Sequence, residues 1–255
     1  MIVGTLHPGS GVGDQLFCYL AARITAERLG VPFGMAGEFK GKDFIQLERG
    51  VEIPFPYRVE LPAGKIIVDA PFALYEGKPD FDPEFFFLSD NTIVDGCRLQ
   101  DEKYWDDADL FSWLKTEPIG VPDDLCIIGF RGGEYAAVPE LFLTKDYWEA
   151  ATNKMREINP AMRFRVVTDD PGLARVCLPH YEITHDVSQD WRQIRYARYA
   201  IIANSAFYIL PRLLKHYELE GWDEDTVTVA PRYWARRNIE QWSTSQNFYK
   251  SFIYL

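Results

Sequence analysis

An alternation of two hydrophobic periods between residues 122 and 230 constrains the fold most. Short β-branched runs lie between longer segments with helical spacing of their apolar residues. Such alternation is typical of a parallel sheet covered by helices. The sequence therefore predicts a doubly wound α/β domain here. The runs predicted as strands are 125–130, 164–168, 181–184, 199–203 and 226–230.

Two helices are predicted between these strands. In segment 145–158 one face carries Trp148, Met155 and Ile158, and segment 190–198 has the same kind of apolar stripe. Such a stripe is expected to face the sheet.

The N-terminal half opens in a similar way. We expect a strand at 2–6, a glycine-rich turn at 8–13 and a helix at 14–29, which Gly30 ends. The stretch 34–90 is rich in Pro, Gly and Phe and has no clean period. A linker at 116–124 predicts a boundary between two α/β lobes.

Net charge, the N-terminal residues and the cysteines argue against several classes of partner and site. A net charge of −11 argues against nucleic acid or an anionic membrane as the main partner. Met1–Val3 leads directly into Gly4 without a basic flank, so we expect no signal peptide, no membrane anchor and a cytoplasmic protein. The four cysteines form no Cys-x-x-Cys pair, which argues against a zinc site; they are Cys18, Cys97, Cys126 and Cys177.

The first candidate site is the glycine-rich segment 9–16, between a predicted strand and helix. Glycines let backbone N–H groups approach a phosphate, and a helix N-terminus favours negative charge. No Lys-Ser or Lys-Thr follows, so this is not a Walker A loop. A tight turn that only packs the helix on its strand fits equally well.

The second candidate is Arg131, which follows an apolar strand and precedes Gly132 and Gly133. Ligands of open α/β sheets bind outside the carboxyl ends of the strands. A guanidinium there is suited to grip a diphosphate through paired hydrogen bonds. The alternative is a surface salt bridge.

Two further strands end in polar residues. Asn204 and Ser205 follow the run 199–203, where they either cap the next helix or bind phosphate oxygens. Asp169 and Asp170 precede a proline, a pattern that favours capping and contact with a nucleoside over metal binding.

Five segments, in order, resemble the α-1,2-fucosyltransferases, within the fucosyltransferase superfamily. Residues 11–21 are similar to the opening Gly-Gly-x-Gly-Asn-Gln-x-Phe-Gln-Tyr-Ala motif, and 96–105 to Gly-Tyr-x-Gln-x-Glu-Lys-Tyr-Phe. Residues 168–170 and 203–207 resemble Ser-Asp-Asp and Ala-Asn-Ser-x-Phe, and 231–234 matches a late Pro-x-x-Trp.

One motif departs from the family. Its donor motif is His-x-Arg-Arg-x-Asp, whereas this chain has Gly129-Phe130-Arg131-Gly132-Gly133-Glu134. Because the His and the second Arg are missing, the donor sugar and linkage stay open, with GDP-mannose or GDP-rhamnose transfer, or a silent GDP or glycan binder, as alternatives.

The resemblance implies a GT-B-like fold, with two Rossmann-like lobes and the active site in the cleft between them. It implies an acceptor-side lobe at 1–120, a GDP-sugar lobe at 121–230 and a last segment at 231–255 that packs back on the first lobe. It also implies inverting transfer of fucose from GDP-fucose to a glycan hydroxyl, with no cofactor and no metal.

On this reading, Arg131 stabilises the leaving GDP, and Glu134 or, second, Glu140 is the base. Tyr104, Trp105 and Tyr135 are acceptor-site candidates. The donor-binding candidates are Gly11, Gly13, Asp14, Gln15, Arg131, Asp169, Asp170, Asn204, Ser205 and Phe207.

Overall fold

The structure is a computed structural model, and it describes residues 1–53, 66–68, 92–95, 110–217, 225–232, 235–237, 241–243 and 249–255. The chain divides into two compact units. Unit 1 is Met1–Lys115 with Gln246–Tyr249, and unit 2 is Thr116–Ser245 with Lys250–Leu255. The finer division at 120 and 230 stays a prediction.

The elements that the structure describes in unit 1 are β1 (Ile2–Thr5), α1 (Val12–Leu29), β2 (Phe33–Ala36), β3 (Gln46–Leu47), β4 (Val51–Ile53), β5 (Ile66–Val68), β6 (Thr92–Asp95), α2 (Leu110–Trp113) and β7 (Leu114–Lys115). Five of the strands form a sheet of order β4-β2-β1-β6-β5 in which every pairing is parallel. Strands β3 and β7 form a separate antiparallel pair.

Helix α1 begins two residues earlier than predicted, at Val12. Gly11 is extended, with φ −72° and ψ 168°, and its carbonyl accepts the first helical bond, from the Gln15 amide at 3.0 Å. Gly13 is therefore in the first turn of the helix and not in the glycine-rich turn. At the other end, Gly30 has φ 64°, a left-handed conformation that ends the helix as predicted.

The helices and strands that the structure describes in unit 2 are β8 (Leu125–Phe130), α3 (Lys145–Ile158), β9 (Arg163–Thr168), α4 (Pro171–Cys177), β10 (Glu182–Thr184), α5 (Val187–Tyr196), β11 (Tyr199–Ile202), α6 (Ala206–Tyr217), β12 (Val227–Ala230), β13 (Ala235–Arg237), β14 (Gln241–Ser243) and β15 (Phe252–Tyr254). Six of the strands form a sheet of order β10-β9-β8-β11-β12-β15 in which every pairing is parallel. Strands β13 and β14 pair antiparallel. The five strands predicted for 122–230 are confirmed as β8 to β12, and their ends differ by at most one residue.

When only the six strands of this sheet are numbered in chain order, the strand order is 3-2-1-4-5-6. This is the order of dinucleotide-binding folds, and it reverses direction between the first and fourth strands, here β8 and β11. All six residues of β8 are buried, as expected for a central parallel strand covered on both faces. The prediction of a doubly wound α/β domain is confirmed.

The predicted helix faces are largely confirmed. Trp148 and Met155 of α3 are buried, but Ile158 is 41% exposed because it is the last residue of the helix. Helix α5 begins three residues before the predicted start, since the Asp186 side chain caps it by accepting from the Gln189 amide at 2.9 Å.

Two of the described cysteines lie in the core. Cys18 and Cys126 are buried and reduced, and burial raises the pKa of the Cys126 thiol. Cys177 is only partly buried, and Cys97 lies outside the described residues. Within the described ranges, no helix is long and apolar enough to cross a membrane.

Candidate functional site

Three adjacent strands of unit 2 end at the same edge and deliver the polar residues singled out above. In the register of the sheet, Phe130 pairs with Thr168, and Gly129 pairs with both Val167 and Ile202. Arg131, Asp169 and Asn204 therefore follow the carboxyl ends of β8, β9 and β11. This edge contains the point at which the strand order reverses, where open α/β sheets bind their ligands.

The Arg131 guanidinium is held by two carboxylates. Its Nη1 donates to Asp169 Oδ2 at 2.5 Å, and its Nη2 donates to Glu134 Oε1 at 2.9 Å. Burial works against the charge, but the carboxylates of Asp169 and Glu134 outweigh it and raise the pKa of Arg131. The sequence left a salt bridge at Arg131 open, and the structure has two, to Asp169 and to Glu134.

The two glycines after Arg131 make room for Asp169. The Gly132 amide donates to Asp169 Oδ1 at 2.8 Å. Gly133 has φ 27°, and a Cβ added there would collide with Asp169 Oδ2. A side chain at either glycine would displace the loop that follows β9, because a Cβ at 132 would be 2.7 Å from Asp170 Cβ.

The segment after β8 also crosses to the end of β11. The Tyr135 hydroxyl donates to the Asn204 carbonyl at 3.2 Å, and the Asn204 amide Nδ2 donates to the Leu141 carbonyl at 3.1 Å. The Arg131 guanidinium lies 5.3 Å from the centre of the Tyr135 ring. Tyr135, an acceptor-site candidate from the sequence, therefore also packs beside Arg131.

Asn204 and Ser205 lie where β11 passes into α6, and both are buried. The Ser205 amide donates to the Ala203 carbonyl at 2.9 Å, and its own carbonyl accepts from Tyr208. Phe207 packs against Trp191, with ring centres 5.3 Å apart. This arrangement starts α6 and leaves the proposed phosphate contact of Asn204 and Ser205 as a prediction.

Asp170 caps α4, as the sequence predicted. Its Oδ1 accepts from the Leu173 amide at 2.9 Å, and Pro171 begins the helix. Beyond it, His185 follows β10, and its Nδ1 lies 2.6 Å from the Thr168 carbonyl oxygen. Glu140, the second base candidate, lies partly buried in a turn before α3.

In unit 1, Gln15 joins two loops at the carboxyl end of the sheet. Its Nε2 donates to the carbonyls of His7 at 3.1 Å and Glu38 at 3.2 Å, and its Oε1 accepts from the Lys40 amide at 3.0 Å. The side chain is 1% exposed. Its amide thus holds the loop between β1 and α1 in place, whereas Asp14 beside it is partly exposed.

Tyr208 was not identified from the sequence. Its ring lies against Gly129, and its hydroxyl donates to the Phe130 carbonyl at 2.9 Å. Burial raises the pKa of this hydroxyl well above its ordinary value. A signal was present, because a glycine inside a strand marks a close approach of another group.

Part of the resemblance lies outside the described residues. This holds for the segment 96–105, with Tyr104 and Trp105, and for residues 233–234 of the late Pro-x-x-Trp match.

Neither a protein-family model nor a curated protein sequence matches the chain. Among solved structures, it is similar to the fucosyltransferase NodZ from Bradyrhizobium, with TM-score 0.50 and 13% identity over 84% of this chain and 92% of that one. It is equally similar to NodZ α-1,6-fucosyltransferase co-crystallised with GDP, with TM-score 0.50, 14% identity and the same 84% and 92% coverage.

These likenesses confirm the GT-B-like α/β fold class. An E. coli heptosyltransferase, WaaC with ADP, is a more distant match, with TM-score 0.44 and 11% identity over 99% of this chain and 92% of that one. The α-1,2 linkage stays a prediction.

Proposed function

We propose that this chain is a glycosyltransferase that uses a GDP-sugar donor and transfers fucose to a hydroxyl of a glycan acceptor with inversion. One observation carries the proposal: Arg131 directly follows the central strand β8, beside the point at which the strand order of a 3-2-1-4-5-6 sheet reverses. A NodZ fucosyltransferase that was co-crystallised with GDP has a similar fold, which supports the choice of nucleotide.

The proposed reaction requires a positively charged group beside the bond between the sugar and the diphosphate of the donor. As the bond between sugar and phosphate opens, negative charge develops on the leaving GDP. We assign its stabilisation to the Arg131 guanidinium, because preorganised donors directed at developing charge are usually the largest catalytic contribution. Ser205 and the Asn204 backbone are the further proposed donors in unit 2, and phosphate binding by the N–H groups of Gly11 and Gly13 in unit 1 stays a separate prediction.

The nucleoside and acceptor ends of the site are assigned by residue type. Asp169 and Asp170 are proposed to lie toward the ribose or guanine. An inverting transfer also benefits from a base that accepts the acceptor proton. Glu134 is the first candidate and Glu140 the second.

Metal independence is part of the proposal. Where charge on the diphosphate is met by a guanidinium and main-chain amides, a cation is not required for that role. Activity that persists in excess EDTA would agree with this assignment, and activity that depends on added Mg²⁺ or Mn²⁺ would contradict it.

A different GDP-sugar, such as GDP-mannose or GDP-rhamnose, is the second candidate donor. It is favoured by Gly129 and Gly132, which stand where the resembled family has His and Arg. The two donors differ in the sugar and not in the diphosphate, so the role of Arg131 is the same for both.

The test is a thermal-shift panel of GDP, UDP, ADP and CDP followed by a hydrolysis screen of GDP-sugars. We expect stabilisation by GDP above the other three nucleotides, and release of GDP from GDP-fucose. Release from another GDP-sugar alone would select the second candidate. Stabilisation by GDP without any turnover would identify a silent binder, and no preference for GDP would contradict the proposal.

A further inference from the structure

The two carboxylates on Arg131 differ in how firmly they are held. The side chains of Arg131 and Asp169 are both 26% exposed, whereas that of Glu134 is 74% exposed. Asp169 also accepts from the Gly132 amide, so its two oxygens have separate partners. Glu134 lies in the 3₁₀ helix Gly133–Ala137, which has no buried residue.

Rotation of the Asp169 side chain away from Arg131 would break two hydrogen bonds. If it turned away, the Gly132 N–H and the Nη1 of Arg131 would both lose their acceptor. The Nε of Arg131 is buried and has no hydrogen-bond partner among the residues that the structure describes, so the guanidinium depends on its two Nη groups for orientation. Asp169 therefore fixes the direction in which Arg131 points.

Glu134, by contrast, can be replaced by another acceptor for the Nη2 of Arg131. Ion pairs between exposed side chains contribute little, because water and salt screen them and long side chains lose entropy in forming them. A phosphate oxygen is an equivalent acceptor for Nη2 and makes a charge-assisted hydrogen bond of the same kind. The diphosphate and Glu134 therefore compete for one edge of the guanidinium.

We propose that Asp169 is a positioning residue for Arg131 and that Glu134 is a competing carboxylate, which the donor diphosphate displaces. This inference rests on the proposed function, since it specifies how the same guanidinium receives the donor. Displacement also frees the Glu134 carboxylate when the donor arrives, so the first base candidate becomes available only in the presence of substrate.

The test is GDP affinity by isothermal titration calorimetry for the wild type, Glu134→Gln and Asp169→Asn. Glu134→Gln removes the competing charge, and we expect GDP to bind about two- to fivefold more tightly, a gain that shrinks at high salt. Asp169→Asn keeps an oxygen for the Gly132 amide but loses the charge facing Arg131, and we expect binding to weaken about tenfold. Glu149→Gln is the charge control, since it removes an exposed ion pair with Lys145 and should leave affinity unchanged.

Combining each substitution with Arg131→Ala separates a positioning role of Asp169 from a purely structural one. GDP affinity of these double variants is measured by competition against labelled GDP. In the Arg131→Ala background, Asp169→Asn and Glu134→Gln should each change affinity less than twofold, because both act through the guanidinium. Full effects in that background overturn the inference, as does a wild-type-like affinity of either single variant. A wild type that does not bind GDP overturns the proposed function itself.

Discussion

The ring of Tyr208 lies directly against the α-carbon of Gly129. A Cβ added at 129 would be 2.7 Å from the ring, and the Tyr208 hydroxyl donates to the Phe130 carbonyl. The resembled fucosyltransferases have a histidine where Gly129 stands. In this chain the ring of Tyr208, from α6, occupies the space into which a side chain at position 129 would extend.

Gly129→Ala is therefore expected to lower the free energy of unfolding. Overpacking of a filled core costs about 1–3 kcal/mol, because the ring or the strand must move. The measurement is urea denaturation followed by circular dichroism. Gly120→Ala is the matched control, since nothing lies within 4 Å of a Cβ there and its stability should change little. Equal urea midpoints for Gly129→Ala and the wild type would contradict the close contact between Gly129 and the Tyr208 ring.

The same contact shows what the sequence could and could not predict. Local signals were sufficient for the strands β8 to β12 and for the end of α1 at Gly30, because period and a left-handed glycine are properties of a few neighbouring residues. The partner of Gly129 is 79 positions away in the sequence. A glycine in a strand indicates that something approaches closely, but not which residue does.

For the candidate site, too, the sequence predicted which residues lie at strand ends but not which of them pair. The positions of Arg131, Asp169 and Asn204 at strand ends followed from the alternation of elements. The pairing of Arg131 with Asp169 required the order of β8 and β9 in the sheet, which no local pattern contains. The roles of Gln15 in joining loops and of Glu134 as a second acceptor for Arg131 likewise depend on contacts that only the structure supplies.

Asp190 is expected to make stability fall as the pH rises from about 4 to about 6. Burial raises the pKa of this carboxyl from 3.8 to about 6, against the opposing effect of its hydrogen bonds from the Asp186 amide and Thr184 and of nearby His185. Between those values the folded chain binds more protons than the unfolded chain, so unfolding becomes easier as the pH rises. Above about pH 6 the buried carboxylate is ionised, and the free energy of unfolding is then lower by the full amount, about 3 kcal/mol.

The check is the free energy of unfolding of the wild type and Asp190→Asn across this range. The difference between them should change by about 2–3 kcal/mol from pH 4 to pH 7, with the wild type relatively more stable in acid. Using the difference removes the contribution of the other acidic groups, which both proteins share. A difference that does not vary with pH would contradict the shifted pKa.

Arg212 is expected to be essential for the stability of unit 2. It is fully buried, and its guanidinium donates to Thr228 Oγ1 at 2.8 Å and to the carbonyls of Ile194 at 2.9 Å and Ala197 at 2.6 Å. Burial lowers the pKa of Arg212 to about 9, so it is still charged at neutral pH. Arg212→Met should cost about 3–5 kcal/mol, because buried carbonyls lose their donor.

Thermal unfolding of this variant is compared with that of Arg163→Ala. Arg163 forms an exposed pair with Asp124, and its loss should cost at most about 1 kcal/mol. If the two variants unfold at the same temperature, the buried guanidinium does not join α6 to the end of α5 and to β12 as described.

The most direct test of the account is the turnover of Arg131→Ala with the GDP-sugar that the wild type hydrolyses. Loss of a preorganised donor to the leaving group should lower kcat by about 10² to 10³, with the folded protein retained as judged by its melting temperature. Turnover near that of the wild type would contradict the assignment of this guanidinium to the departing diphosphate.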